Sequence, residues 1–325
     1  MILAKTPLRV SFFGGGSDIS SFYERTPGAC LSTTINKYMY ITVCKTSLDG
    51  VKAIYNSIEV TEDVEELKHD RIKNVLKAFS IAKNIEIASF SEIPTKGTGL
   101  GSSSAFTVGL IDAIYRYQDL PAPSRFDLAE AACDIEINWC RDPIGKQDQY
   151  AAAFGGLNLF TFNTDGVVDV SPVPASSSTI TRLKSNLMLF YTGITRSAAN
   201  ILQEQSFNDK NHEVRELVKL AHDAYKSIRT GKLDDFGDML DYSWNIKRSL
   251  ASGISSGQLD DYYSDIKKAG ALGGKILGAG GGGYFLFYVP DDISKKKVLE
   301  KAKRIGLKHF NFNFENDGSR VVYAN

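Results

Sequence analysis

Three spaced glycines followed by three serines carry the clearest chemical signal in this sequence. Residues 93–117 read I-P-T-K-G-T-G-L-G-S-S-S-A-F-T-V-G-L-I-D-A-I-Y-R-Y, with Gly97, Gly99 and Gly101 ahead of Ser102, Ser103 and Ser104. Glycine permits left-handed backbone angles and lets the main chain approach a ligand closely. Serine is a favoured residue at a helix start, and the apolar run after Ala105 is long enough for a helix. A helix start presents unpaired N–H groups and the positive end of the helix dipole. A glycine loop running into one is an anion site, for phosphate above all. A single Gly-Ser loop reads as an ordinary capped turn. The spaced glycines, the serines and a buried helix together point to a phosphate cradle over residues 97–104.

Two acidic residues further on are candidates for a role in the site. Ser124-x-x-Asp127 opens a helix with a capping-box-like pattern. Its apolar stripe includes Leu128, Ala129, Ala132, Ile135, Trp139 and Cys140, and Glu136 falls inside it. A carboxylate facing apolar packing is costly unless it is paired, bound to a cation or at an edge that reaches water. Asp148 follows 12 residues later in I-G-K-Q-D-Q-Y. By itself it reads as a solvated loop aspartate. Lys146 and Arg9 are candidate cationic neighbours, and a nearby cation keeps a carboxylate ionised. Arg196, in T-G-I-T-R-S at an expected helix start, suits either a second anion site or simple capping.

The elements that must position these groups alternate along the chain. Alternation and β-branched or aromatic content predict strands near residues 3–13, 30–45 (one strand or two), 51–55, 85–90, 155–162, 187–191 and 284–289. A strand over 309–314, a turn at Asn316-Asp317-Gly318 and a return over 320–323 read as a hairpin. Helical rhythm marks 62–83, the stretch after 124, 213–251 with a break at Thr230-Gly231, and 258–271. The basic run 295–304 reads as a solvated helix face. Ser17 or Asp18 is expected to cap a short helix near 20–24. The prolines and small residues of 172–181 mark the clearest boundary, dividing the chain into 1–178 and 179–325.

Several alternatives are excluded by detail. No glycine precedes Lys-Ser or Lys-Thr, so the P-loop pattern is absent. Gly101-Ser-Ser-Ser-Ala105 approaches the G-x-S-x-G hydrolase elbow, but no strand runs directly into it. Of the four histidines, His69, His212, His222 and His309, none sits in a motif, which leaves a hydrolase as a weak alternative. Gly278, Gly280 and Gly283 match G-x-G-x-x-G, yet a strand follows where a dinucleotide site needs a helix. Lys plus Arg equals Asp plus Glu at 38 each, which argues against nucleic-acid or anionic-membrane binding. Residues 1–6 carry no apolar signal core, no run reaches membrane-spanning length, and the four cysteines form no C-x-x-C pair. The expectation is a cytoplasmic protein with reduced thiols.

The run P-x-x-G-x-G-L-G-S-S-S-A, residues 94–105, resembles the second motif of the GHMP kinases, the family of galactokinase, homoserine kinase, mevalonate kinase and phosphomevalonate kinase. In that family the loop wraps the phosphates of ATP. A-K-T-P-L-R-V-S-F-F-G-G-G-S-D, residues 4–18, resembles the first motif, and A-G-A-L-G-G-K-I-L-G-A-G-G-G-G-Y, residues 269–284, resembles the third. Gly15-Gly16 stands where galactokinase has Glu-His, which leaves room for a different or bulkier sugar. The G-G-G-S-D spelling is closer to the branch containing fucose kinases and heptose 7-phosphate kinases.

The resemblance implies an α+β fold of two lobes. The first would be like ribosomal protein S5 domain 2 and the second ferredoxin-like. It implies ATP on Lys96, Gly97, Gly99, Leu100, Gly101, Ser102, Ser103 and Ser104, and Mg2+ on Ser103 and Glu136. Asp148 would take the acceptor's proton, with Arg9 offsetting charge. The acceptor would meet Gly15, Gly16, Ser17, Asp18, Lys146, Arg196 and Gly281. The implied partner is a small-molecule sugar phosphate, D-glycero-D-manno-heptose 7-phosphate phosphorylated at the anomeric hydroxyl, with a free sugar such as fucose as the alternative. A sensor that binds sugar and nucleotide without turnover should have lost one of the two acids, and both are present. A monomer or homodimer is expected.

Overall fold

The computed structural model describes residues 1–94, 97–195 and 210–325. β1 (Ile2–Phe13) pairs antiparallel with β2 (Gly28–Lys45), one strand of 18 residues. Their register shifts between Pro7 and Leu8, where proline has no N–H to give to the ladder. β2 is long enough to serve two wings of one sheet. Its second half pairs with β5 (Ile85–Ser91), which continues to β3 (Val51–Ile54) and β4 (Ile58–Thr61). Its first half pairs with β6 (Leu157–Phe162), which continues to β7 (Val168–Pro172). A second, antiparallel sheet has the order β11-β8-β10-β9, from β8 (Leu187–Tyr191), β9 (Gly273–Ile276), β10 (Tyr284–Tyr288) and β11 (Lys308–Phe310).

Among the described residues the helices are α1 (Ser20–Tyr23), α2 (Asp70–Ala78), α3 (Ser102–Tyr117), α4 (Arg125–Cys133) and α5 (Gln147–Phe154) in the first half of the chain. α6 (Ser177–Asn186), α7 (Asn211–Thr230), α8 (Phe236–Arg248), α9 (Gly257–Lys268) and α10 (Asp292–Arg304) follow. α3 is apolar on most of its circumference because it is covered on most of it. It lies on β1 and β2 and packs against α4 and α5. None of the described helices is long and apolar enough to cross a membrane.

Several expectations change in the folded chain. The 309–314 and 320–323 segments are not partners. β11 joins the second sheet, whereas β12 (Phe314–Glu315) and β13 (Arg320–Ala324) return to β2 and β1 of the first. The first sheet is therefore completed by the end of the chain, and Ser319 fastens it by bonding Asp112 Oδ2 at 2.7 Å and Thr6 Oγ1 at 2.9 Å. The helix expected over 62–83 is a 3-10 turn (Val64–Glu66) and then α2, because Leu67 is extended between them. The helix expected to reach Cys140 stays α-helical only to Cys133 and continues as a π-helical turn (Asp134–Trp139). The wider turn rotates Trp139 out of the predicted stripe to 44% exposure while Glu136 is fully buried.

Candidate active site

The two lobes face each other across a cleft lined by the end of β1, the loop before α3, the start of α5 and parts of α8 and β9. The glycine loop enters α3 through left-handed angles at Gly97, Gly99 and Gly101, with φ of 68°, 75° and 71°. Gly101 itself is the helix cap, and no side chain caps it. The serines expected as caps instead form the first helical turn: Ser102 and Ser104 are buried and Ser103 is exposed in the cleft. The amides of that first turn have no intrahelical acceptor.

Glycine is required at position 99 by its neighbours as well as by its angle. A Cβ there would lie 2.3 Å from the carbonyl oxygen of Leu277. The glycine run 278–283 closes over the same loop, with Tyr284 N–H donating to the Thr98 carbonyl at 3.3 Å.

Asp148 stands in the first turn of α5 at the cleft wall. Arg9 Nε donates to its Oδ1 at 2.8 Å and Nη2 to its Oδ2 at 2.6 Å. The remaining arm, Nη1, donates to the Gly99 carbonyl at 2.6 Å. One buried guanidinium thus ties the carboxylate to the phosphate loop. Asp148 Oδ2 comes within 3.4 Å of where a Cβ of Gly101 would sit, so the carboxylate borders the helix start directly.

The β1–α1 turn supplies the opposite wall. Gly15, Gly16 and Asp18 line it. Asp18 is not a helix cap. Its carboxylate accepts from Gly16 N–H at 3.0 Å and Gln147 N–H at 3.2 Å. Burial pushes its carboxyl pKa up, and the charge of Asp148 adds to the effect. Ser17 lies behind the wall rather than in it. Its hydroxyl bonds the Gly14 carbonyl and both backbone groups of Ala29, and α1 starts after Ile19 without a side-chain cap.

Four other expected site residues differ or lie outside the description. Lys146 turns away from Asp148 and donates to Glu130 at 3.0 Å and to the Gly166 carbonyl at 2.9 Å. Gly281 is not part of the cleft lining, and its N–H donates to the Ile254 carbonyl at 2.8 Å. Lys96 and Arg196 lie outside the described residues.

Glu136 has a different environment from the one expected. Its Oε1 accepts from Thr107 Oγ1 at 2.7 Å and Arg71 Nε at 2.8 Å, and its Oε2 from Ser104 Oγ at 2.7 Å and Gln149 Nε2 at 2.6 Å. The serine it meets is Ser104, not Ser103. The π-helical turn aims the carboxylate under α3, so it does not line the cleft. Arg71 does, and it also donates to Asp142 at 2.6 Å. Four donors saturate the carboxylate, and one is already a cation. The pairing of Ser103 with Glu136 around Mg2+ does not fit this donor set, and no cluster of three acidic, histidine or cysteine ligands occurs among the described residues.

Sequence reasoning missed Arg71, Ser243, Lys247 and Lys275, all of which line the cleft. α8 did hold a signal. Phe236, Leu240, Ser243, Trp244 and Lys247 recur at helical spacing along its buried face, so the lysine occupies a core position. Burial pushes the Lys247 ammonium well below the usual lysine range, with Lys275 and Arg9 adding to it. Burial lowers Lys275 to about 8.

Comparison with known proteins identifies the family. The family model for the GHMP kinases N terminal domain matches residues 68–156, and that for the GHMP kinases C terminal matches residues 224–307. A D-glycero-alpha-D-manno-heptose 7-phosphate kinase of Campylobacter jejuni is 32% identical over 93% of both chains. A bifunctional fucokinase/GDP-fucose pyrophosphorylase of Arabidopsis thaliana is 23% identical over 94% of this chain and 32% of its own length. Among solved structures, a D-glycero-D-manno-heptose 1-phosphate kinase from Bacteroides thetaiotaomicron superposes with a TM-score of 0.81 at 25% identity, covering 100% of both chains.

Proposed function

This chain belongs to the GHMP kinases and is an ATP-dependent sugar kinase, and on that footing we propose that its acceptor is D-glycero-D-manno-heptose 7-phosphate, phosphorylated at the anomeric hydroxyl. The observation that carries the reading is the Arg9–Asp148 pair fastened to the phosphate loop at Gly99. It holds a base beside a phosphate cradle with little freedom to move.

In this reading the loop over residues 97–104 gathers the phosphates of ATP with its amides. Ser103 contributes a hydroxyl from inside the cleft. Asp148 orients the anomeric hydroxyl and accepts its proton as that oxygen bonds to the terminal phosphorus and the bond to ADP breaks. The transferred group spreads its charge over its oxygens, so positioning and charge stabilisation dominate the catalysis. Asp18 receives sugar hydroxyls, and Gly15 and Gly16 leave space for the sugar's carbon chain. ATP as its magnesium complex brings its own cation, and no step runs through Glu136. ATP as donor also suits a cytoplasmic enzyme.

The test is an acceptor screen by ADP release. Heptose 7-phosphate should give a kcat/KM at least tenfold above fucose, galactose or unphosphorylated heptose. Turnover of a free sugar with none of heptose 7-phosphate would replace this acceptor with the fucose-type alternative, which the similarity to a fucokinase favours.

A further inference from the structure

The wall of the cleft built by the second lobe holds two ammonium groups with no carboxylate partner among the described residues. Lys247 and Lys275 are only 8% and 3% exposed, and both line the cleft. Lys247 Nζ donates to the carbonyls of Ile276, at 3.3 Å, and Gly278. Lys275 Nζ donates to the Phe12 carbonyl at 2.7 Å. No salt bridge to either is formed among the described residues.

The three acids that line the cleft are engaged elsewhere: Asp148 by Arg9, Asp142 by Arg71, and Asp18 by two backbone N–H groups. An ammonium has three N–H donors, so both lysines keep donor capacity. Ser243 sits one helical turn before Lys247 on the same face of α8. Ser243 is 1% exposed and lines the cleft, and its hydroxyl is buried with no hydrogen-bond partner. An orphaned buried hydroxyl beside unpaired buried cations is costly to fold around unless a ligand completes it.

We propose that Ser243, Lys247 and Lys275 form a subsite for a phosphate dianion in the second-lobe wall of the cleft. A dianion is the fitting ligand class, because it would compensate the charge that burial disfavours on both lysines, which a neutral sugar hydroxyl cannot do. The inference rests on the kinase reading above and deepens it. Two sources carry this chemistry. Gly278, which Lys247 touches, packs on Gly99 of the phosphate loop, on the side of the phosphate being transferred. Phe12, which Lys275 touches, is next to last in the strand leading into Gly14-Gly15-Gly16, on the side of an acceptor's own phosphate ester.

Lys247→Met, Lys275→Met and Ser243→Ala are to be compared with wild type in the full chain. The first readout needs no turnover: the thermal midpoint is followed against inorganic phosphate. Wild type should be stabilised by millimolar phosphate, the two lysine variants should lose that response, and Ser243→Ala should weaken it. The alanine variant keeps the cations in place and covers the case in which a lysine variant fails to fold.

The second readout separates the sources. A tenfold or greater rise in KM for heptose 7-phosphate, with KM for unphosphorylated heptose unchanged, assigns the subsite to the acceptor. A tenfold or greater fall in kcat with both acceptors, at unchanged KM, assigns it to the transferred phosphate. Retention of the full phosphate response in every folded variant overturns the proposal, whatever the acceptor screen finds. Loss of the response together with a negative screen for phosphorylated sugars would keep the subsite and discard only the heptose assignment.

Discussion

Replacing Asp148 by asparagine tests the centre of the site with little change in shape. The carboxylate accepts two hydrogen bonds from Arg9, whose side chain is 5% exposed. The amide has one accepting oxygen, and its NH2 would face a guanidinium N–H. Breaking a buried pair costs about 3–5 kcal/mol. Asp148 is 27% exposed and Arg9 keeps its bond to the Gly99 carbonyl, so a loss of about 2 kcal/mol is the appropriate scale. That lowers the melting midpoint by roughly 3 °C. The chemical step suffers further, because the amide cannot take the acceptor's proton. Turnover should fall by a factor on the order of a hundred or more, about 3 kcal/mol of barrier. ATP affinity should change little, since the amide cradle is untouched. ADP release gives the first number, thermal unfolding the second and nucleotide titration the third. A folded variant that turns over at near the wild-type rate would remove Asp148 from the mechanism.

Glu136→Gln places an amide among four donors; denaturant unfolding should show a loss of about 3 kcal/mol or more, and a neutral result would mean the network is not formed in solution. Gly99→Ala puts a Cβ 2.3 Å from the Leu277 oxygen at φ of 75°, so it should raise KM for ATP at least tenfold; wild-type nucleotide affinity would show that the loop is not held by the second lobe. Lys275 is depressed to about 8 from 10.5, so between those values the unfolded chain carries a proton the folded chain lacks. The penalty is full below pH 8 and fades as pH rises toward 10.5. Wild type should therefore gain stability relative to Lys275→Met by on the order of 2 kcal/mol between pH 8 and 10, and parallel pH profiles would contradict the burial of that charge.

The fold was legible where periodicity is strong, and the site where several rare residues lie close together in the sequence. β8 matches its expected range, and α7 ends at the glycine expected to break it. The glycine loop was recognisable because it spans only eight residues. Placement that depends on distant partners was not legible. The strand 320–324 goes to β1, over 300 residues away in sequence, and no local pattern encodes that choice. Lys146 was judged by its nearness to Asp148, yet Glu130 captured it from the helix before. Arg71 carries no signal of its own, since an arginine in a first helical turn looks solvated until Glu136 and Asp142 are brought to it. The π-helical turn had the same effect, because the 3.6-residue period cannot reveal the winding that aims Glu136 under α3.

These long-range placements also explain why the catalytic parts are spread along the chain. The glycine loop anchors itself in the core through a single large side chain, the fully buried Leu100. Its left-handed glycines are braced on one side by Arg9, through the Gly99 and Leu100 carbonyls. On the other side Leu277, Gly278 and Gly283 leave no room for a Cβ at Gly99 and cover Thr98. Arg9 in turn is oriented by Asp148, so the start of α5, β1 and the glycine loop share one set of hydrogen bonds. Lys275 extends the same set across the lobes by holding the Phe12 carbonyl. A movement of the second lobe would thus reach the cradle through the glycine run and the acceptor wall through Lys275.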